Sequence, residues 1–130
     1  MEVKNYVLGE WVSGEGKEID HIHAITGEII STTSSKGLDF NSILEYGRKK
    51  GSSALRKMTF QQRGEMLKSL ALYLNKRKEI FYSLSKATGA TRIDSWIDVD
   101  GGIGNLFANA SLRRQFPDLR YYVEGPMANL

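Results

Sequence analysis

The residues most suggestive of chemistry are the glycines of positions 101–104, Gly-Gly-Ile-Gly, in a chain of 130 residues. Closely spaced glycines allow a backbone to approach a pyrophosphate at the start of a helix, as in dinucleotide-binding loops. That motif, begun at Gly102, requires another glycine where Phe107 stands, and residues 96–100 lack the pattern of a buried parallel strand. We therefore favour a helix whose glycines leave room for a close neighbour.

Leaving that room has an energetic cost. Each glycine inside a helix costs about 0.5–1 kcal/mol relative to alanine. The three glycines of residues 101–104 would together cost roughly 2–3 kcal/mol on that scale. Some group that contacts the helix must therefore require the missing side chains.

A metal site is the next candidate, because His21 and His23 are spaced so that a strand would place both rings on the same face. The sequence has no other histidine and no cysteine. Two side chains do not hold a zinc ion, so we predict surface imidazoles and no metal site. The lack of cysteine also excludes a disulfide scaffold and a cysteine nucleophile within these residues.

Three carboxylates lie close together in sequence, at Asp94, Asp98 and Asp100. Paired carboxylates can serve acid–base catalysis or glycoside cleavage. The simpler interpretation is electrostatic, because acidic side chains near a helix start complement its dipole and can pair with basic residues upstream. The residues alone therefore predict no catalytic and no cofactor-binding side chain.

The elements that position these residues change character near Leu38. About the first 35 residues alternate polar and apolar side chains between turns, which predicts an antiparallel β-ribbon of two or three strands. The later apolar spacing is that of helices. The boundaries that we predict are an N-cap at Asp39, a capping box at Thr59 and Gln62, a stop at Gly89, a last helix from about Asp94–Ser95 to Leu112, and a further strand over residues 119–123.

Composition and charge limit the class of protein. Apolar residues make up 41% and charged residues 25%, close to a globular domain, and the length fits one domain. The net charge of +3 conceals a basic stretch, residues 48–92, with 12 basic and 2 acidic side chains. Because no nucleic-acid motif accompanies it, we favour solvated helix faces over a nucleic-acid partner. The apolar runs are too short for a membrane span, which predicts a soluble, cytoplasmic protein.

Several short motifs, taken in order, resemble the start of the aldehyde dehydrogenase superfamily. They are Gly-Glu-Trp-Val at 9–12, Thr-Gly-Glu-Ile-Ile at 26–30, residues 59–63 ahead of Met66 and Leu67, and Thr88-Gly89 before the last helix. Residues 23–28, 54–60 and especially 88–104 are similar to a narrower family, the bifunctional enzymes of bacterial phenylacetate degradation. The resemblance covers nearly the whole chain.

The resemblance implies an α/β aldehyde dehydrogenase fold for a longer parent enzyme. Residues 1–130 would be a truncated N-terminal segment of its nucleotide-binding domain, a β-ribbon followed by three or four helices. The parent would be a cytoplasmic homo-oligomer that oxidises a CoA-linked semialdehyde with NADP in phenylacetate degradation. It would also carry a ring-opening hydratase-type domain downstream.

The same resemblance places the family's catalytic cysteine, its glutamate and its cofactor-binding strands farther along the chain. No catalytic or NADP-binding residue is therefore carried over to residues 1–130, and the segment alone should neither bind NADP nor oxidise aldehydes. Its partner would be the remainder of the dehydrogenase. In the superfamily, the helix after the Thr-Gly motif borders the substrate tunnel, which makes Gly101 and Gly102 candidates for the wall of that tunnel.

A second hypothesis comes from a different class of protein. The chain would then be a complete, small, basic α+β module that binds an acidic partner or a nucleic acid through residues 48–92. Salt-dependent binding to polyanions by a cooperatively folded monomer distinguishes this module from a dehydrogenase segment, which should expose an apolar helix face.

Overall fold

The computed structural model describes residues 2–123, and within them it contains two short hairpins followed by four helices. The strands are β1 (Asn5–Val7), β2 (Glu10–Val12), β3 (Ile19–Ile22) and β4 (Ile29–Thr33). Helix α1 consists of Phe40–Tyr46, a π-helical stretch at Gly47–Ser52, and Ser53–Lys57. The remaining helices are α2 (Phe60–Asn75), α3 (Lys78–Ser85) and α4 (Arg92–Ser111). Short 3₁₀ turns, Lys86–Thr88 and Leu112–Gln115, follow α3 and α4.

The predicted antiparallel ribbon is present as two separate hairpins. β1 pairs only with β2, and β3 only with β4, among the residues described. The β3–β4 register shifts between His21 and Ile22, as at a β-bulge. Side-chain bonds join the two hairpins, since Asn5 Nδ2 donates to Ser34 O at 2.7 Å and Ser34 Oγ donates to Glu15 O at 2.9 Å.

The predicted caps of the first two helices are confirmed. Asp39 caps α1, since its Oδ1 accepts from the backbone N–H groups of Asn41 and Ser42 at 3.0 and 3.1 Å. These bonds and one from the Ser42 hydroxyl, the largest cause, lower the pKa of Asp39. Thr59 and Gln62 form the capping box of α2, with bonds of 2.9 and 3.2 Å.

Helix α4 begins at Arg92, two residues before the predicted start. Thr91 is its N-cap, and Asp94 is the third helical residue of a second capping box. The Thr91 N–H donates to Asp94 Oδ2 at 3.0 Å, and the Asp94 N–H donates to Thr91 Oγ1 at 3.2 Å. The predicted stop at Gly89 is confirmed, because its φ of +81° is a left-handed conformation that favours glycine.

Helices α2 and α4 pack closely and form the centre of the structure. Ala71, Ile103 and Ala110 are the buried apolar residues at this contact. Gly64 makes the close approach possible, because a Cβ there would lie 2.9 Å from Ala110 O and 2.8 Å from Arg113 Cβ. Arg113 then covers the contact, with Nη1 donating to Ala110 O at 2.7 Å and Nη2 pairing with Glu65 Oε1 at 2.6 Å.

The predicted strand at residues 119–123 is wrong, since the structure has irregular backbone there. This segment lies against the start of α2, where a helix has free N–H groups. The Phe60 N–H donates to Leu119 O at 2.9 Å, and Arg63 Nη2 donates to Arg120 O at 2.9 Å. The carbonyl groups of this segment therefore accept hydrogen bonds from donors at the start of α2, and not from a neighbouring strand. The residues that follow, 124–130, are outside the described part.

The surface of this fold is unusually large and apolar. The accessible area is 10219 Å², whereas the scaling for folded monomers gives about 6,900 Å² at 14.6 kDa. Exposed apolar side chains include Trp11 at 67%, Ile93 at 70% and Trp96 at 57%. No helix within residues 2–123 has the length and hydropathy required to cross a membrane.

Candidate functional site

An apolar groove of about 340 Å³ lies where α2, α3 and the middle of α4 meet. Leu74 comes from the end of α2, and Phe81 comes from α3. The α4 residues of its wall are Asp98, Val99, Gly102, Ile103 and Leu106. The groove contains one of the two glycines that the sequence analysis selected, so it is the candidate site for a substrate.

The structure places the two candidate glycines differently. Gly102 lines the groove, whereas Gly101 is not part of its wall. Successive helix residues point about 100° apart, which separates the two positions on the helix surface. A Cβ at Gly101, Gly102 or Gly104 would meet nothing within 4 Å in this structure. The packing of the described residues therefore does not explain why α4 has glycines here.

The opposite side of α4 is also apolar. The helix buries Ser95, Ile103 and Ala110. The side of the helix that faces away from the groove exposes Ile93 at 70% and Ile97 at 55%. A helix that is apolar on more than one side is typical of one that is enclosed within a larger protein. Both the glycines and the isoleucines of α4 are thus suited to contacts that residues 2–123 do not supply.

A cluster of three polar side chains fixes α3 on α4 beside this groove. Lys78 Nζ lies 2.7 Å from Asp100 Oδ1. The Tyr82 hydroxyl donates to the other oxygen, Asp100 Oδ2. Lys78 and Asp100 are partly buried. Because these bonds use both carboxylate oxygens, Asp100 acts as a structural clamp between the helices.

The clamp changes the pKa values of all three groups. The hydrogen bond from Lys78, followed by that from Tyr82, lowers the pKa of Asp100 below its usual 3.8. The bond to Asp100 raises the pKa of Tyr82 above 10.0 and that of Lys78 above 10.5. Stability due to the lowered Asp100 pKa is present above pH 3.8 and is lost as pH falls through the folded-state value. Stability due to the raised Tyr82 and Lys78 values is present below their ordinary pKa and is lost as pH rises through the folded-state values.

We expect Asp100→Asn to lower the Tm at neutral pH, because an amide cannot replace a carboxylate that accepts from two donors. The variant should also lose part of the fall in Tm on acidification. Thermal unfolding followed by circular dichroism between pH 3 and pH 8 measures both effects. Asp98→Asn is the matched control, since Asp98 has no hydrogen bond or ion pair among the described side chains. Equal pH profiles for the two variants would contradict the clamp.

Because there is open space beside the glycines of α4, we expect alanine substitutions there to raise the stability of the chain, whereas Asp100→Asn lowers it. Gly101→Ala and Gly104→Ala should each stabilise this chain by about 0.5–1 kcal/mol, because alanine favours the helix and its Cβ meets no atom. Urea unfolding of the single variants measures the change. A loss of stability in either variant would show that the chain's own packing requires glycine there.

The other residues selected from the sequence have separate roles. His23 Nδ1 accepts from the N–H groups of Ile25 and Thr26 at 3.2 and 3.4 Å, so this ring holds a turn. Within residues 2–123, no three metal-ligating side chains converge. Asp94 caps α4, Asp98 borders the groove and Asp100 is the clamp. The expected pairing of an aspartate with an upstream basic residue is confirmed for Asp100 and Lys78.

The clamp is not visible in the sequence because its members belong to different helices, and Lys78 and Asp100 are 22 positions apart. One signal was available. Lys78 and Tyr82 are four residues apart, a spacing that places two donors on the same helix face. No rule of spacing could have selected Asp100 as their common acceptor.

Comparison with known families supplies the class of protein. The family model described as "Aldehyde dehydrogenase family" matches residues 11–122. This match spans most of the chain, from β2 to the segment that packs on α2. The chain belongs to the aldehyde dehydrogenase family.

A comparison with curated proteins gives a relative whose name is more specific than that of the family. The chain is 32% identical over 126 residues to 3,4-dehydroadipyl-CoA semialdehyde dehydrogenase from Aromatoleum evansii. The match covers 96% of this chain and 24% of the relative. The chain thus spans about a quarter of the length of the relative that it matches.

Proposed function

We propose that this chain acts as the N-terminal segment of the nucleotide-binding domain of a dehydrogenase that oxidises a CoA-linked semialdehyde. Family membership supports oxidoreductase chemistry with a nicotinamide cofactor. The name of the relative supports a CoA-linked semialdehyde as the class of substrate. We further propose NADP as the cofactor, phenylacetate degradation as the pathway with a ring-opening hydratase-type domain in the same enzyme, and a cytoplasmic homo-oligomer.

The observation that carries the proposal is the groove at Gly102. It is apolar along most of its wall, and glycine there is not required by any neighbour among residues 2–123. A helix interior that retains glycine at a cost of about 0.5–1 kcal/mol is explained if a ligand needs the space. We propose that Gly102 keeps a substrate tunnel wide enough for a CoA-linked substrate.

The partner that we propose for the apolar surface is the rest of the dehydrogenase polypeptide. The accessible area exceeds the expectation for a folded monomer of this mass by about 3,300 Å². The exposed Ile93, Ile97 and Trp96 of α4 are parts of this surface. Burial against the remaining polypeptide would stabilise the segment and place α4 beside the reacting centre.

The proposal is tested with the dehydrogenase that includes this segment. Reduction of NADP is measured with a CoA-linked semialdehyde and with the same semialdehyde without CoA. We expect a higher kcat/KM for the CoA-linked substrate. Equal kcat/KM values for the two substrates would contradict the proposed substrate class, and no reduction with either would contradict the proposed reaction.

Family membership favours this function over the second hypothesis, a complete basic module that binds an acidic partner. The basic residues of 48–92 lie on α1, α2 and α3, in the turns beside α3, and at the start of α4, and several of them are already paired. Their distribution over separate helices does not single out one surface for a polyanion.

A further inference from the structure

Helix α3 forms one wall of the groove at Gly102, and its apolar side chains attach it only weakly to the rest of the structure. Among the described residues, none of the eight in α3 is buried. Ile80 and Leu84 of this helix are exposed. Because burial of apolar side chains is the main force that holds a helix against its neighbour, the position of α3 depends on other contacts.

Polar bonds attach α3 to α4 at two places. Near the end of α3, the hydroxyl groups of Ser85 and Ser95 are hydrogen-bonded at 2.9 Å, and Ser95 is buried. Near the start of α3, Asp100 accepts from Lys78 at 2.7 Å and also from Tyr82. The three α3 residues are spaced by four and three positions, which places both attachments on the same face of this helix.

Phe81 lies between the two attachments and is the residue that α3 contributes to the groove wall. It is next to Tyr82 in the chain. On the other helix, Asp100 is next to Val99 and two positions before Gly102, and both of these residues line the same groove. A displacement of α3 on α4 would therefore change the separation between the two walls of the groove.

We propose that Asp100 is a positioning residue that sets the width of the groove between Phe81 and Gly102 for a CoA-linked substrate. Asp100 is not part of the groove wall. Its two bonds fix α3 on α4, and α3 in turn holds Phe81 at the separation from Gly102 that the substrate requires. This role rests on the proposed function, in which the groove is the path of the substrate.

Steady-state kinetics of the dehydrogenase that includes this segment tests the role. In Asp100→Asn and Tyr82→Phe, we expect the KM for the CoA-linked semialdehyde to rise about threefold to tenfold, as for residues that act on a ligand through other groups. The kcat should change by less than about twofold, and the KM for a short aldehyde should change little. Tyr82→Phe keeps the ion pair of Lys78 and Asp100, so it tests the role even if Asp100→Asn does not fold.

Conservative and control variants separate positioning from a general loss of stability. Lys78→Arg retains a cationic donor for Asp100 and should keep the KM close to that of the wild type, whereas Lys78→Met should raise it. Glu65→Gln is the matched control, because it removes another ion pair, Arg113 Nη2 to Glu65 Oε1 at 2.6 Å, outside the groove wall. We expect this control to leave both KM values within about twofold of the wild type.

A double variant adds a readout that a purely structural role would not change. Without the bonds of Asp100, α3 can move away from a leucine at position 102. The rise in KM that Gly102→Leu causes should therefore be smaller by about threefold or more in the Asp100→Asn background. If Asp100 contributes only to stability, the effects of the two substitutions on KM should multiply.

The outcomes distinguish a failure of this role from a failure of the proposed function. If the wild-type enzyme does not prefer the CoA-linked substrate, the proposed function fails, and the positioning role fails with it. If the wild type shows this preference, three results overturn the positioning role alone. They are an unchanged KM in the variants of Asp100 and Tyr82, an equal rise in KM for both substrates, and effects of Asp100→Asn and Gly102→Leu that multiply.

Discussion

Gly64→Leu is expected to abolish the packing of α2 on α4 and to destabilise the chain by more than about 3 kcal/mol, above the usual range for overpacking. A Cβ at this position would already lie 2.8 Å from Arg113 Cβ and 2.9 Å from Ala110 O. The second of these atoms belongs to the backbone of α4, so it cannot move without displacing the helix. A leucine adds three further carbon atoms to the same space.

Urea unfolding followed by circular dichroism measures this effect. Gly47→Leu is the matched control, since a Cβ at Gly47 in α1 would meet nothing within 4 Å. We expect the control to keep or raise the stability of the wild-type chain, because leucine favours a helix more than glycine does. Similar unfolding midpoints for Gly64→Leu and the wild type would show that the α2–α4 contact is not the centre of the fold.

The second large effect concerns Gly102→Leu in the dehydrogenase that includes this segment. A leucine side chain would extend into the groove beside Phe81 and Leu106. In the isolated chain, it should increase stability, because the groove is apolar and the helix gains propensity. In the enzyme, we expect the KM for the CoA-linked semialdehyde to rise about tenfold or more, and the KM for a short aldehyde to change little.

Steady-state kinetics with both substrates measures the difference. Gly101→Leu serves as a positional control, because Gly101 is on the same helix but outside the wall of the groove. A smaller effect at Gly101 would assign the constriction to the groove. If Gly102→Leu raises the KM of both substrates equally, glycine at this position does not widen a tunnel for CoA.

The sequence predicted the local features that depend on a few neighbouring residues. The Asp39 cap, the capping box of Thr59 and Gln62, and the stop at Gly89 are all confirmed, since each is decided within about one helical turn. The predicted start of α4 lies two residues after the observed start at Arg92. The capping box of Thr91 and Asp94 has aspartate where Glu or Gln is usual. This substitution concealed the signal.

Features that depend on distant contacts were less predictable. Residues 119–123 were predicted to form a strand, but the backbone carbonyls of Leu119 and Arg120 instead accept hydrogen bonds from donors of α2. The clamp at Asp100 requires the α3–α4 contact, which no local pattern specifies. The glycines of α4 were recognised as unusual from their cost alone. The structure adds that only Gly102 faces the groove and that neither glycine is crowded by the described residues.

The central claim, that these residues work only as part of a larger dehydrogenase, is tested most directly by complementation. The 130-residue chain is mixed with a separately produced polypeptide that contains the remaining dehydrogenase domains, and NADPH formation from a CoA-linked semialdehyde is recorded. We expect no activity for either polypeptide alone and activity for the mixture. Turnover by this chain alone, or full activity of the other polypeptide without it, would contradict the claim.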